Sequence, residues 1–199
     1  MTVDEFFSEL YNDELSDLFI GNRNSREEPR AKLLPLMNTG MTYAYAKYKV
    51  QFAKVPLTVT ADVSEYTLPQ TDILAITRVI NSHGRELEGH EVQILGQTLF
   101  FPDPVATTLT VEYKLKPFPF VEGQDDKTTP LNLPHLLIDW LRPYVASRYL
   151  AAQKTDAQVA KAKDFMNQAV TAEQVFMNTN TTNEYSSKNN TRLQGRGFA

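Results

Sequence analysis

Residues 108–116, with the sequence Thr-Leu-Thr-Val-Glu-Tyr-Lys-Leu-Lys, alternate strictly between polar and apolar side chains. A period of two places the apolar members on one face of an extended chain, so this stretch predicts a β-strand with one buried face. Short runs rich in strand-forming residues precede it, at Leu57–Thr60, Ser64–Leu68, Ile73–Ile80, Val92–Leu95 and Thr98–Phe101. Their short connections favour antiparallel pairing, because parallel neighbours would need helical crossovers. We therefore predict a small antiparallel β module.

On the amino-terminal side of this module the periodicity is helical. Thr2-Val3-Asp4-Glu5 forms a capping box that predicts a helix start, and Gly21 with the polar run after it predicts the end. The apolar stripe of this helix is Val3, Phe7, Tyr11, Leu15 and Leu18. The stripe of a second helix is Leu34, Met37, Met41, Ala44 and Tyr48. Pro35 and Gly40 lie within the second pattern and predict a kink or an interruption.

Helical periodicity returns on the carboxyl-terminal side. One helix opens at Asn132-Leu133-Pro134, and another opens at a capping box beginning with Thr155 and extends to about Met177. Because each apolar stripe needs a partner, the predicted fold is α+β. It consists of a helical bundle formed by the N- and C-terminal helices, an inserted small antiparallel β module and an extended C-terminal arm. The corresponding segments are residues 1–54 (first helices), 55–121 (β module), 122–177 (loop and C-terminal helix pair) and 178–199 (arm).

Acidic residues are concentrated at the start of the chain. The 199 residues carry a net charge of −4, and residues 1–20 contain six acidic residues and no basic one. The predicted acidic face of the first helix comprises Asp4, Glu5, Glu9, Asp13 and Asp17. A chain without a basic stripe is a poor binder of duplex DNA, because affinity for DNA depends on neutralising phosphates.

The arm differs in composition from the rest of the chain. Residues 178–199 are rich in asparagine, threonine and serine, and their net charge is +2. Such side chains compete with helical hydrogen bonds and bury little apolar surface, so we expect the segment to be disordered on its own. Its candidate anchors for a docking partner are Tyr185, Arg192, Leu193, Arg196 and Phe198. The alternatives are a nucleic-acid arm, for which the cations are too few, and a frayed terminus.

The sequence contains no motif for catalysis. It has no cysteine, which excludes thiolate metal sites and thiol nucleophiles. His83, His90 and His135 lack the spacing of metal ligands, and neither a phosphate-binding glycine loop nor a nucleophile elbow is present. We therefore expect no enzymatic activity, no cofactor and no metal. The acidic start and the absence of a long apolar run predict a soluble, intracellular protein without a membrane span.

Three parts of the chain resemble the head-to-tail adaptor proteins of tailed bacteriophages, of the head-completion or tail-tubular-A type, especially those of short-tailed phages. These parts look like the family's opening helices, its β module and the Leu-Pro motif that opens its C-terminal helix pair. They are, respectively, Glu14–Leu18 with Arg30–Tyr48, Leu74–Glu88 with Thr108–Lys116, and Leu131–Pro134 with Leu136–Leu150.

This resemblance implies a structural virion protein that forms a homo-oligomeric ring, usually a dodecamer, below the portal and connects the capsid to the tail. It also implies that double-stranded DNA passes through the ring without specific contacts, and that the arm binds the portal protein. The other implied partners are a tail nozzle or tail-tube protein, with tail fibres as a further candidate. The implied location is the virion neck, after assembly in the host cytoplasm. The alternatives are another phage connector component, such as a stopper or a tail terminator, and a non-viral binding module.

Overall fold

Helices precede and follow six β-strands in the computed structural model, which describes residues 1–18, 27–48, 50–121 and 128–194. The helices are α1 (Val3–Asn12), α2 (Glu27–Lys47), α3 (His135–Gln153) and α4 (Asp156–Gln194), with a short 3-10 helix at Ser16–Leu18. The strands are β1 (Phe52–Val59), β2 (Glu65–Thr67), β3 (Ile73–Ile80), β4 (Gln93–Leu95), β5 (Thr98–Phe100) and β6 (Thr107–Leu115). This element order confirms the predicted α+β fold.

All six strands belong to one of the two units into which the chain divides, Met41–Pro119. The alternating strand β6 is the centre of a three-stranded sheet ordered β1-β6-β3, and β5 is the centre of a second sheet ordered β2-β5-β4. Every pairing is antiparallel, as predicted. β1 begins at Phe52, earlier than predicted, and includes Pro56, which is tolerated because β1 is an edge strand. The buried side chains on the apolar face of β6 are Leu109, Val111 and Tyr113.

The other unit, Met1–Gly40 with Phe120–Ala199, begins with α1. The predicted capping box is present: the Glu5 backbone N–H donates to the Thr2 hydroxyl at 3.2 Å, and the Thr2 N–H donates to the Glu5 carboxylate at 2.8 Å. The Val3 N–H donates to the Thr129 carbonyl at 3.1 Å. Side-chain and backbone hydrogen bonds therefore both fix the start of α1.

The predicted end of the first helix at Gly21 is wrong, because α1 ends at Asn12. Beyond that point the Ser16 hydroxyl donates to the Asp13 carbonyl at 2.9 Å, a local turn that competes with helical hydrogen bonding. The turn breaks the predicted stripe, and Leu18 is consequently 39% exposed. Two buried residues of α1 that the stripe omitted are Phe6 and Leu10.

α2 continues through Pro35 and Gly40, so the predicted interruption is absent from this described helix. Gly40 instead marks a close approach between α2 and α3. A Cβ atom at Gly40 would overlap the Leu141 side chain and lie 3.1 Å from the Tyr144 ring. Because glycine has no side chain, it allows the two helices to pack at this distance.

We expect Gly40→Ala to lower the free energy of unfolding by about 1 kcal/mol, because overpacking outweighs the gain in helix propensity. Shortening the neighbour should relieve the overlap, so the loss in the Gly40→Ala/Leu141→Val double variant should be smaller than the sum of the single losses. Chemical denaturation followed by circular dichroism measures these values. Gly89→Ala is the matched control, since a Cβ at Gly89 meets no atom within 4 Å. A stabilised Gly40→Ala variant would contradict the close approach.

α3 and α4 form an antiparallel pair joined by a short connection. The Gln158 N–H donates to the Thr155 hydroxyl at 3.4 Å, which places the start of α4 where the sequence predicts it. The buried Ser147 hydroxyl of α3 donates to the Ala162 carbonyl of α4 at 2.7 Å. The predicted end of α4 near Met177 is wrong, since the backbone is helical to Gln194. Extending an existing helix requires no new nucleation, which lets a segment of low intrinsic propensity continue it.

Candidate functional site

The first turn of α1 carries two carboxylates of the predicted acidic face. Carboxylates at this position interact favourably with the positive end of the helix dipole. Asp4 lies 3.2 Å from the guanidinium of Arg30 in α2, and that guanidinium also lies 4.9 Å from the centre of the Phe7 ring. Glu5 serves the capping box and lies 4.0 Å from the amino group of Met1. Both carboxylates therefore help to hold α1 in place.

Arg142 of α3 binds the carboxylates at the other end of α1. Its guanidinium lies 2.8 Å from Glu9, 3.4 Å from Asp13 and 3.5 Å from Glu14. The Arg142 side chain is 22% exposed and that of Glu14 is 11% exposed, whereas Glu9 and Asp13 are far more accessible. One guanidinium thus pairs with three carboxylates, and only that of Glu14 is largely buried.

Glu14 is not among the residues predicted for the acidic face, yet it is the buried member of this cluster. Burial raises the pKa of its carboxyl group, and Arg142 offsets only part of this effect. Among the described residues, neither its Oε2 atom nor the Arg142 Nε atom has a hydrogen-bond partner, and both atoms are buried. A buried carboxylate of this kind depends on its counter-ion, because removing one partner leaves an uncompensated charge. The Arg142–Glu14 pair therefore fixes the turn after α1 to α3.

A third cation reaches the acidic face from α4, where Lys161 pairs with Asp17. Arg30, Arg142 and Lys161 thus come from three different helices and reduce the net charge of the face. Each partner is distant from its carboxylate in the sequence, so no spacing pattern indicated these pairs. The side chains of the five predicted carboxylates remain between 42% and 66% exposed. A partly neutralised, accessible anionic surface results.

The predicted anchors of the arm lie partly in α4 and partly beyond it. Tyr185, Arg192 and Leu193 belong to the helical part, since the backbone of α4 is helical to Gln194. Arg196 and Phe198 lie outside the described residues.

Groups with catalytic or metal-binding potential lie apart in the described structure. His90 lies 3.4 Å from Glu88, and His135 lies 3.3 Å from Asp139, with both imidazoles highly exposed. Among the residues described, no group of three histidine or acidic side chains is placed to hold a metal ion. No helix in the same residues has both the length and the apolar character needed to cross a membrane.

Comparison with known proteins identifies the family. The family model described as SU10 adaptor protein matches residues 1–192, which include both units of the fold. No curated protein matches the chain. The family match confirms the resemblance to phage adaptors, whose role is structural and not typically enzymatic. Because it covers nearly the whole sequence, the chain belongs to the SU10 adaptor protein family of bacteriophage structural proteins.

Proposed function

We propose that this protein is a head-to-tail adaptor of the head-completion type in a short-tailed phage. Copies form a dodecameric ring below the portal, connect the capsid to the tail and leave a passage for the genome during ejection. The observation that carries this proposal is the adaptor-family match over residues 1–192. An adaptor family implies contacts with portal and tail proteins. The chain has both helical surfaces and a β module. This supports such a role, because the two can contact different neighbouring proteins.

In this proposal the acidic face lines the channel. Its carboxylates stay accessible although three cations pair with them. The remaining negative charge repels DNA phosphates, so DNA passes without binding. The same ion pairs hold α1 on the bundle, which suits a wall that must stay rigid. The residues concerned are Asp4, Glu5, Glu9, Asp13 and Asp17.

The arm binds the portal in this proposal, and the β module faces the tail. The proposed anchors are Tyr185, Arg192, Leu193, Arg196 and Phe198. The tail-side partner is a nozzle or tail-tube protein, with tail fibres as a further partner. Copies fold in the host cytoplasm and are incorporated at the neck of the virion.

Cryo-electron microscopy of portal rings mixed with the purified protein tests this proposal. We expect a closed dodecameric ring below each portal, with α1 on the inner wall and the arm against portal subunits. Portal rings imaged without the protein are the control for density in that position. A protein that sediments separately from the portal, or that binds it without closing a ring, would contradict the proposal.

A further inference from the structure

The β module contains a cleft that the proposed function does not use. Its volume is about 490 Å³, and pockets of about 300–1,000 Å³ commonly hold ligands. Val105 at its edge is 70% exposed, whereas three other lining residues belong to the buried core. An apolar floor that opens to solvent suits an apolar side chain from a partner. The apolar lining residues are Val59, Leu87, Phe101, Val105 and Leu109.

Hydrogen bonds fix one wall of this cleft. The Asn81 carboxamide oxygen accepts from the backbone N–H groups of His83 at 3.0 Å and Arg85 at 2.9 Å. The Arg85 guanidinium donates to both oxygens of Glu91, at 2.9 and 2.5 Å. These hydrogen bonds from Arg85, together with one from the Glu88 backbone, lower the pKa of Glu91 to about 2. A wall that is already ordered loses little conformational entropy on binding.

The rim of the cleft has an excess of negative charge. Glu91 and Asp103 line it together with Arg85, which Glu91 already engages. Within the described parts of the chain, Asp103 has no ion-pair partner. The rim is therefore complementary to a cation that arrives beside an apolar group.

The chain itself contains a segment in which a cation stands beside an apolar side chain. Residues 178–199 have a net charge of +2, and Arg196 and Phe198 stand on either side of Gly197. Arginine can bind a carboxylate through two parallel hydrogen bonds, and a phenylalanine ring buries a large apolar area. Glycine between them permits backbone conformations that other residues resist.

α4 is much longer than α3, the helix with which it pairs. At 1.5 Å per residue, the 39 residues of α4 span about 58 Å and the 19 residues of α3 span about 28 Å. Because the two helices are antiparallel neighbours, α4 extends about 30 Å past α3 before residue 195. A helix that projects this far past its neighbour can bring the residues after it to another copy.

We propose that the cleft binds residues 195–199 of a second copy of this chain, with the Phe198 ring on the apolar floor and Arg196 beside Asp103. One such contact buries little area and is weak on its own. Repetition around a ring strengthens it, because each further contact forms at a high effective concentration.

Disulfide trapping tests this contact. Because the chain has no cysteine of its own, a disulfide can form only between the introduced cysteines. Val105→Cys and Ala199→Cys are made in separate full-length proteins that carry tags of different size, mixed and mildly oxidised. The matched control replaces Val105→Cys with Leu95→Cys, since Leu95 is also 70% exposed but does not line the cleft. We expect the mixed dimer in about tenfold greater yield with Val105→Cys than with Leu95→Cys.

Two further substitutions test the proposed chemistry. Asp103→Lys in the Val105→Cys protein, or Phe198→Ala in the Ala199→Cys protein, should each lower the yield of mixed dimer about tenfold. Thermal melts verify that the Asp103→Lys protein is folded. Equal yields from Val105→Cys and Leu95→Cys would overturn the proposal. So would a protein carrying both Val105→Cys and Ala199→Cys that forms its disulfide only within one chain.

The portal proposal is tested separately by adding portal rings to the same oxidation. If the arm binds the portal through Arg196 and Phe198, portal rings should lower the yield of mixed dimer. An undiminished yield supports the contact between copies and counts against those two residues as portal anchors. Absence of the mixed dimer both with and without portal rings overturns the cleft contact alone.

Discussion

Arg142→Met is expected to lower the free energy of unfolding by about 2–4 kcal/mol, because it leaves Glu14 buried without a counter-ion. Methionine retains much of the arginine stem, so the loss reflects charge more than packing. Loss of a fully buried partner costs about 3–5 kcal/mol, and the partial exposure of Arg142 reduces that value. The pairs with Glu9 and Asp13 add little, since those carboxylates remain accessible. Urea denaturation of the full-length protein measures the loss.

The free energy of unfolding that Arg142→Met loses should depend on pH, because the charge of Glu14 depends on pH. Burial already raises its pKa above 4.5, and without Arg142 the pKa rises further. An acid with a raised pKa in the folded state binds protons more tightly when folded, so stability falls as pH increases from about 4.5 to the folded pKa. The deficit of Arg142→Met should therefore be larger at about pH 8 than at about pH 5.

Two variants control this prediction. Adding Glu14→Gln to Arg142→Met removes the buried charge and should recover most of the loss at neutral pH. Lys161→Met breaks the exposed pair with Asp17 and should cost less than about 1 kcal/mol. A deficit for Arg142→Met that is independent of pH and unchanged by Glu14→Gln would show that Arg142 contributes packing alone.

Periodicity in the sequence predicts the element types because it reports which side chains share a face. The alternation in residues 108–116 identified the central strand of a sheet, and the stripe from Leu34 to Tyr48 is buried along α2 and at the residue that follows it. Helix ends were less predictable. The turn bond between Ser16 and Asp13 ends α1 early, and the composition of the arm did not reveal the continuation of α4 to Gln194.

The ion-pair partners and the cleft depend on tertiary structure, which no local pattern encodes. Arg142 meets carboxylates that lie more than a hundred residues earlier, and the cleft combines residues from separate strands and turns. His83 and His90 lack the spacing of metal ligands in the sequence, and both line this cleft. Local signals therefore located the acidic residues but gave neither their partners nor the cleft of the β module.

Deletion of residues 178–199 is expected to abolish portal binding while the fold is retained. The last buried side chain described in α4 is Phe176, which the deletion keeps, so the melting temperature should change by less than about 2 °C. If the arm supplies the anchors for the portal, its loss should weaken binding by at least about a hundredfold. Co-sedimentation with portal rings and thermal melts followed by circular dichroism measure the two effects.

Substitutions within the arm separate its anchors from its overall charge. Arg192→Ala with Leu193→Ala should weaken portal binding nearly as much as the deletion, because both an apolar and a cationic anchor are removed. Lys188→Ala is the matched control: it removes one positive charge from the same segment at a residue that is not a proposed anchor. If the arm acts through long-range attraction, Lys188→Ala and the Arg192→Ala/Leu193→Ala variant should weaken portal binding to a similar extent. If it acts through specific anchors, Lys188→Ala should bind the portal normally. Full portal binding by the deletion variant would contradict this prediction and would show that the portal contact lies on the helical bundle or the β module.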